Sequence, residues 1–190
     1  MRFAHIILNK VQQFVNESFR LKDANKSMKH FERTVYWVKR LKPDADESIL
    51  IAAYAHDIGR AFAVEDSEFW KNKELNDANY LEQHQKNSSR ILSEFLHKEG
   101  YNENEIRRVE HMVRYHEVGG DSESNLIKDA DSISYLEVNA PRQVEKFGEM
   151  IGKRKTKVKF DFMFNRISLD KAKKIAAPMY KKAIEMLEFS

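Results

Sequence analysis

Apolar positions along this 190-residue chain recur at three- and four-residue steps from end to end, and no alternating apolar-polar run of useful length interrupts them. The periodicity predicts helices near residues 3–19, 26–41, 46–59, 84–99, 103–117, 123–138, 141–151 and 168–188. Breakers mark their boundaries. Pro43 and Asp44 precede the third helix and Gly59 ends it, Gly100 separates the fourth from the fifth, Gly119 and Gly120 follow the fifth, and Pro141 opens the seventh. Two stretches carry no clear period. Residues 63–83, AVEDSEFWKNKELNDANYLEQ, are polar with scattered aromatics, and a connection of that length reads as a lid or binding loop. Residues 153–159, KRKTKVK, read as a solvated surface loop or as a cationic rim that draws in phosphate anions.

Composition narrows this picture. Only 6 glycines and 3 prolines leave little room for a turn-rich β architecture, so the expectation is an all-α helical bundle forming one domain over residues 1–190. A chain of this length buries about 70% of the surface that it exposes when unfolded, enough to enclose a cofactor-sized cavity. The absence of cysteine excludes disulfide frameworks, thiolate zinc sites and cysteine nucleophiles, so a metal here must take nitrogen and oxygen ligands. Basic and acidic residues number 33 and 30, a near-balance that argues against a stable nucleic-acid partner. The opening MRFAHIILNKVQQFV reads as an amphipathic helix rather than a signal peptide, and no segment has the roughly 18 uninterrupted apolar residues of a membrane span. The expected location is the cytoplasm, with no membrane association.

The ionisable residues fall in unexpected places. The run ILIAAYA, residues 49–55, is apolar on every side and ends in His56 and Asp57, so these two project from a packed interior. A carboxylate there takes up a proton or requires a cation. On the preceding helix His30 shares an edge with Thr34, Trp37 and Leu41 that can face the third helix. In EIRRVEHMVRYHE, His111 and His116 point about 140° apart on a helix. His116 falls on the apolar side of Ile106, Val109 and Val113, and His111 falls on the surface. In LIKDADSISYLEV, Ile127, Ser134 and Val138 bracket Asp131, which makes it the inward carboxylate, while Asp129 reads as solvent-facing or as a neighbour of the ligands. His84 opens the helix after the long polar stretch. The inward set of His30, His56, Asp57 and Asp131 offers two imidazoles and two carboxylates, which suits Mn²⁺, Mg²⁺, Co²⁺, Ni²⁺ or Fe²⁺ better than a structural zinc.

This order of residues resembles the HD-domain metal-dependent phosphohydrolases. A histidine, an adjacent His-Asp on the next helix and a distant aspartate are matched by His30, His56-Asp57 and Asp131. AAYAHDIGRA resembles the HD helix, HQKNSSRIL the helix after the variable loop, and VRYHE with IKDADSISYLE the segment that ends in the last ligand. The match runs from about Lys26 to Val138, and KVKFDFMFNRIS is similar to a less specific C-terminal stretch in some members. The resemblance implies an HD-type bundle with His30, His56, Asp57 and Asp131 as metal ligands. It places His84 and His116 at a second metal or at the substrate. The Gly-Tyr-Pro element of the cyclic-dinucleotide branch is lacking, and the short gap between His116 and Asp131 favours one ion over two.

The implied activity is metal-assisted hydrolysis of a phosphate ester or anhydride, carried by a nucleotide or a related small phosphorylated metabolite. Asp57 orients water or accepts its proton, and His84 and His116 assist the phosphoryl oxygens or the leaving group. Arg60 and Lys128 are candidates for neutralising phosphate charge. Tyr54, Phe62, Phe69, Trp70 and Tyr80 are aromatics that could stack on a base or fill the core. The alternative is a non-hydrolytic metal- or nucleotide-binding sensor or interaction module. A homo-oligomer is compatible with either reading.

Overall fold

The computed structural model describes residues 6–20, 24–63, 77–147 and 152–190, and these contain helices and turns with no strand among them. The helices are α1 (Ile6–Phe19), α2 (Ala24–Leu41), α3 (Glu47–Ala55), α4 (Ala78–Lys98), α5 (Glu103–Arg114), α6 (Ser122–Ser134), α7 (Ala140–Phe147), α8 (Lys153–Asn165) and α9 (Asp170–Glu188). None of the described helices is long and apolar enough to cross a membrane.

Helix α3 is the axis of the bundle because it has no polar face to give to water. Asp46 caps its start by accepting from the Ile49 N–H at 3.1 Å, and every residue from Ser48 to Ala55 is buried. The small side chains of Ala52, Ala53 and Ala55 let neighbours approach, and α1, α2, α5 and α6 all pack against it. Arg108 of α5 ties the starts of α3 and α6 together, reaching Asp46 at 2.7 Å and Glu123 at 2.6 Å.

The expected helix over 46–59 ends early, at Ala55, and the chain turns through His56 and Asp57 into a short 3-10 segment, Ile58–Ala61. Gly59 explains where that segment docks. Its N–H donates to Ser88 Oγ on α4 at 3.1 Å, and a Cβ there would lie 2.8 Å from that oxygen and 3.1 Å from the Ser88 nitrogen. Gly59→Ala is therefore expected to cost about 1–3 kcal/mol through overpacking. Calorimetry should show the melting temperature falling by roughly 2–4 °C per kcal/mol for a chain of this size.

Two other expectations change. Helix α4 starts at Ala78, six residues before the expected 84, because Asp77 caps it by accepting from the Tyr80 N–H at 2.7 Å. The KRKTKVK run is the first half of α8 rather than a loop. Thr156, Lys159, Phe160 and Met163 form its buried stripe at three- and four-residue steps. The dense charges obscure that stripe in the sequence. Most of the expected lid, residues 64–76, lies outside the described residues, as do Phe69, Trp70 and the end of the helix expected over 141–151.

Helix α6 is buried from Leu126 to Ser134 and widens into a π turn, Tyr135–Asn139, before α7. Pro141 has no N–H to continue the α ladder, and the Ala140 N–H reaches back to the Tyr135 carbonyl instead. Glu137 in this turn accepts both Arg33 donors at 2.7 and 2.8 Å and the Trp37 indole at 2.8 Å. These bonds fix α2 against α6, the pairing on which the site depends.

Candidate metal centre

Three elements meet at one buried point. His30 comes from α2, His56 and Asp57 from the turn after α3, and Asp131 from the middle of α6. His30 Nε2 lies 3.1 Å from Asp131 Oδ1 and His56 Nε2 lies 3.5 Å from the same oxygen. Asp57 Oδ2 is 4.0 Å from His56 Nε2. On the other side of Asp57, its Oδ1 is 2.6 Å from His84 Nε2 and 3.6 Å from His116 Nε2. His56, His84 and His116 are 0%, 5% and 0% exposed. Two groups, His30 with His56 and Asp57, and Asp57 with His84 and His116, each bring their donor atoms within 4.8 Å of one another. Both contain Asp57, so the geometry offers two adjacent places for an ion where the residue spacing favoured one.

The far nitrogen of each imidazole fixes which lone pair faces inward. His56 Nδ1 is 3.0 Å from the Ala53 carbonyl and His116 Nδ1 is 2.7 Å from the Val113 carbonyl, so each N–H is donated backwards along its own chain. His30 Nδ1 bonds Ser134 Oγ at 2.9 Å while the Ser134 hydroxyl donates to the His30 carbonyl at 2.8 Å. This backing is the outer-shell arrangement that orients metal-ligating histidines. His56 Nε2 and His116 Nε2 are left buried with no hydrogen-bond partner. An orphaned buried nitrogen costs about 1–3 kcal/mol, so two of them aimed at one carboxylate fit the donor set of a divalent cation.

The electrostatics point the same way. Burial opposes ionisation of Asp57, but Arg60, His84 and His56 more than offset it and hold the carboxyl well below its usual range. Burial likewise opposes charge on Asp131, and Arg166 and His56 keep it ionised. Burial should lower His56, yet the fields of Asp57 and Asp131 raise it to about 9. A cavity that draws a proton onto a buried imidazole this strongly also attracts a divalent ion. His84 differs: burial and Arg60 lower it, and its Nε2–H donates to Asp57 Oδ1 at 2.6 Å.

The structure sorts the remaining candidates. Arg60 is at the site, donating to Asp57 Oδ2 at 2.9 Å and to the Tyr80 hydroxyl at 2.7 Å. Lys128 donates to Asn125 at 2.9 Å and to Ser168 at 2.5 Å. Asp129 is fully buried rather than solvent-facing, and it accepts the Ser168 and Leu169 N–H groups at the start of α9. Tyr54 is a core residue, 3% exposed, whose hydroxyl donates to Asn16 at 3.0 Å. Phe62 is 59% exposed. His111 is on the surface beside Asp121 at 3.0 Å, as its position predicts. His116 points inward for a different reason than expected: α5 ends at Arg114, and the turn after it, not the helix stripe, aims the ring.

Two residues at the site, Arg166 and Glu117, escaped the sequence reading, and a third, Lys159, was read only as part of the basic run 153–159. Arg166, just past α8, forms ion pairs with both Asp131 and Glu117, and its Nε donates to Ser132 Oγ at 2.8 Å. Glu117 is 4% exposed, and its N–H donates to Gln85 Oε1 at 3.0 Å. Lys159 of α8 is 9% exposed. Beside them a cavity of about 460 Å³ is bordered by Leu81, Gln85, Tyr115, Glu117, Val118 and Phe162. That volume suits a small ligand.

Glu117 gives a pH signature. Burial opposes its ionisation, but Arg166 and Lys159 pull it down from the usual 4.5 to about 2. A carboxyl depressed in the folded state stabilises the fold above its unfolded value and loses that contribution as the pH falls toward the folded one. The melting temperature should therefore fall more steeply between about pH 4.5 and 2 in the wild type than in Glu117→Gln. Parallel slopes would mean that Glu117 is not held ionised.

A family model described as a domain of unknown function, DUF4202, matches residues 10–183. No curated protein matches the chain. Among solved structures, the fold is similar to the crystal structure of a predicted HD superfamily hydrolase from an uncultured Thermotogales bacterium. The TM-score is 0.63 at 18% identity, over 99% of this chain and 92% of that one. The likeness establishes an all-α, HD-type helical fold.

Proposed function

The chain belongs to the DUF4202 family, whose activity is undefined, and from the chemistry of the site we propose that it is a metal-dependent phosphohydrolase acting on a phosphate ester or anhydride. The supporting observation is the pair of buried, unpartnered Nε2 atoms on His56 and His116, facing opposite sides of Asp57. We assign His30, His56, Asp57 and Asp131 to a first ion and Asp57, His84 and His116 to a second ion or to substrate. The ion is Mn²⁺, Mg²⁺, Co²⁺, Ni²⁺ or Fe²⁺, which mixed imidazole and carboxylate ligands accommodate. Bound there, it supplies Lewis-acid activation of water and of the phosphoryl group.

The chain's own residues do the rest. Ala53, Val113 and Ser134 hold the imidazoles in the tautomer that offers Nε2 inward. Arg60 fixes one oxygen of Asp57, leaving the other toward His84 and His116 to orient water or accept its proton. His84, whose Nε2 meets Asp57, serves as a ligand of the second ion or assists the phosphoryl oxygens or the leaving group. Arg166 holds Asp131 in place and so acts on its orientation. The substrate is a small phosphorylated metabolite, a nucleotide foremost, and the adjoining cavity takes its non-phosphate part. We place this activity in one cytoplasmic domain over residues 1–190 without a stable nucleic-acid partner.

The test is a panel of phosphate esters and anhydrides assayed with Mn²⁺, Co²⁺ and Mg²⁺. Turnover that chelator abolishes supports the enzyme, whereas tight nucleotide binding without turnover in any metal makes the chain a sensor. Chelation should also lower the melting temperature, since an ion bound only to the folded state stabilises it by mass action, about 2.7 kcal/mol at 100 times its Kd. A melt unchanged after complete chelation contradicts a tightly held ion.

A further inference from the structure

Lys159 is nine-tenths buried, and its ammonium, which has no hydrogen bond or ion pair among the described residues, keeps only a remnant of contact with solvent. Its nearest partners are the Phe162 and Tyr135 rings, with centroids at 5.0 and 5.6 Å. Contact with ring faces returns only a fraction of what removing an ammonium from water costs. Burial accordingly lowers it to about 8, with Glu117 as the main opposing field. The same residue senses Arg166, Arg60 and Asp131, which places it on the cluster's side of α8. Glu117 and Phe162, its neighbours, both border the 460 Å³ cavity.

The charges around this point also count toward an anion. Asp57, Asp131 and Glu117 are three carboxylates, and Arg60, Arg166 and Lys159 are three cations in their field. With the imidazoles neutral, as metal ligation requires, these six balance, so one divalent ion leaves two positive charges uncompensated in a buried site. A phosphate diester brings one negative charge and a terminal phosphate brings two.

Building on the hydrolase reading above, we propose that Lys159 is the anion-binding donor for the substrate's phosphate, and that this phosphate is terminal and dianionic, as in a monoester or the end of an anhydride chain. The basic run that α8 opens with is thus half solvated face and half binding residue: Lys153 and Lys157 are exposed, and Lys159 turns inward.

The experiment titrates inorganic phosphate and, separately, dimethyl phosphate into Mn²⁺-loaded wild type and Lys159→Met by calorimetry, with metal content and melting temperature measured on each. Methionine keeps the volume and removes the charge. The expected result is a phosphate Kd weaker by about 10- to 100-fold in the variant. Metal content should be unchanged, the melting temperature unchanged or raised, and dimethyl phosphate weakly bound by both proteins. An equal phosphate Kd in the two proteins overturns the role of Lys159, and dimethyl phosphate binding as tightly as phosphate overturns the dianion. If the variant does not fold, cyanate carbamylation of Lys159 in the Mn²⁺-loaded wild type, mapped by mass spectrometry, replaces it. Saturating phosphate should slow that labelling, and an unchanged rate overturns the proposal. Lys159-dependent phosphate binding without turnover of any ester would sink the hydrolase reading alone.

Discussion

Replacing Asp57 with alanine should remove hydrolysis by on the order of 10³-fold or more, because a bound metal supplies several kcal/mol of transition-state stabilisation and each 1.36 kcal/mol is tenfold in rate. Asp57 is the single carboxylate common to both groups of candidate ligands, so its loss weakens both at once. The change also strips Arg60 and His84 of their shared acceptor. Elemental analysis of the purified variant should show divalent metal falling along with kcat. Asp57→Asn keeps the shape and hydrogen-bonding oxygen but loses the charge, and it should fail nearly as badly. Full turnover in either variant, with metal retained, would place the reactive centre elsewhere.

The largest effect on stability is expected at Arg166. This guanidinium is 7% exposed and pairs with two buried carboxylates, Glu117 and Asp131, from the turn after α5 and from α6. Its truncation in Arg166→Ala leaves two negative charges together without a partner, and breaking such a buried pair costs about 3–5 kcal/mol. At roughly 2–4 °C per kcal/mol, the melting temperature falls by about 6–20 °C. The loss should be smaller with saturating Mn²⁺, since an ion beside Asp131 replaces one of the two lost contacts. Glu117→Gln in the same background should recover part of the remainder by removing one of the stranded charges. A melt within 2 °C of wild type, by the same scale, would show that the pairs are not stabilising the fold.

The ligand constellation is legible in the sequence because its environment is extreme. An apolar run from Ile49 to Ala55 carries His56 into the interior and leaves Asp57 only partly exposed, so their chemistry can be inferred before any contact is known. His30 and Asp131 follow from edges that face that run. Helix α6 is harder, since it is buried nearly all round and polar residues such as Lys128, Asp129, Asp131 and Ser132 fall on every side of it. Lys128 could therefore be read as a candidate for phosphate charge, and Asp129, which satisfies the backbone of residues 168 and 169, as solvent-facing or as a neighbour of the ligands. Arg166 was hidden by its neighbours, and Lys159 was read only within a run taken as a solvated loop or a cationic rim. Five cations in seven positions suggest a surface loop unless the stripe of Thr156, Lys159, Phe160 and Met163 is read through them. Glu117 had one available signal, adjacency to His116, but nothing local indicates that its partner lies 49 residues away.

The central claim is that the space among His30, His56, Asp57 and Asp131 holds a divalent cation. Crystals grown with Mn²⁺, with diffraction recorded at its absorption edge, test it directly. The prediction is an anomalous peak enclosed by those four side chains, with or without a second between Asp57, His84 and His116. Manganese found only on exposed carboxylates, with His56 Nε2 and His116 Nε2 still bare, would contradict it.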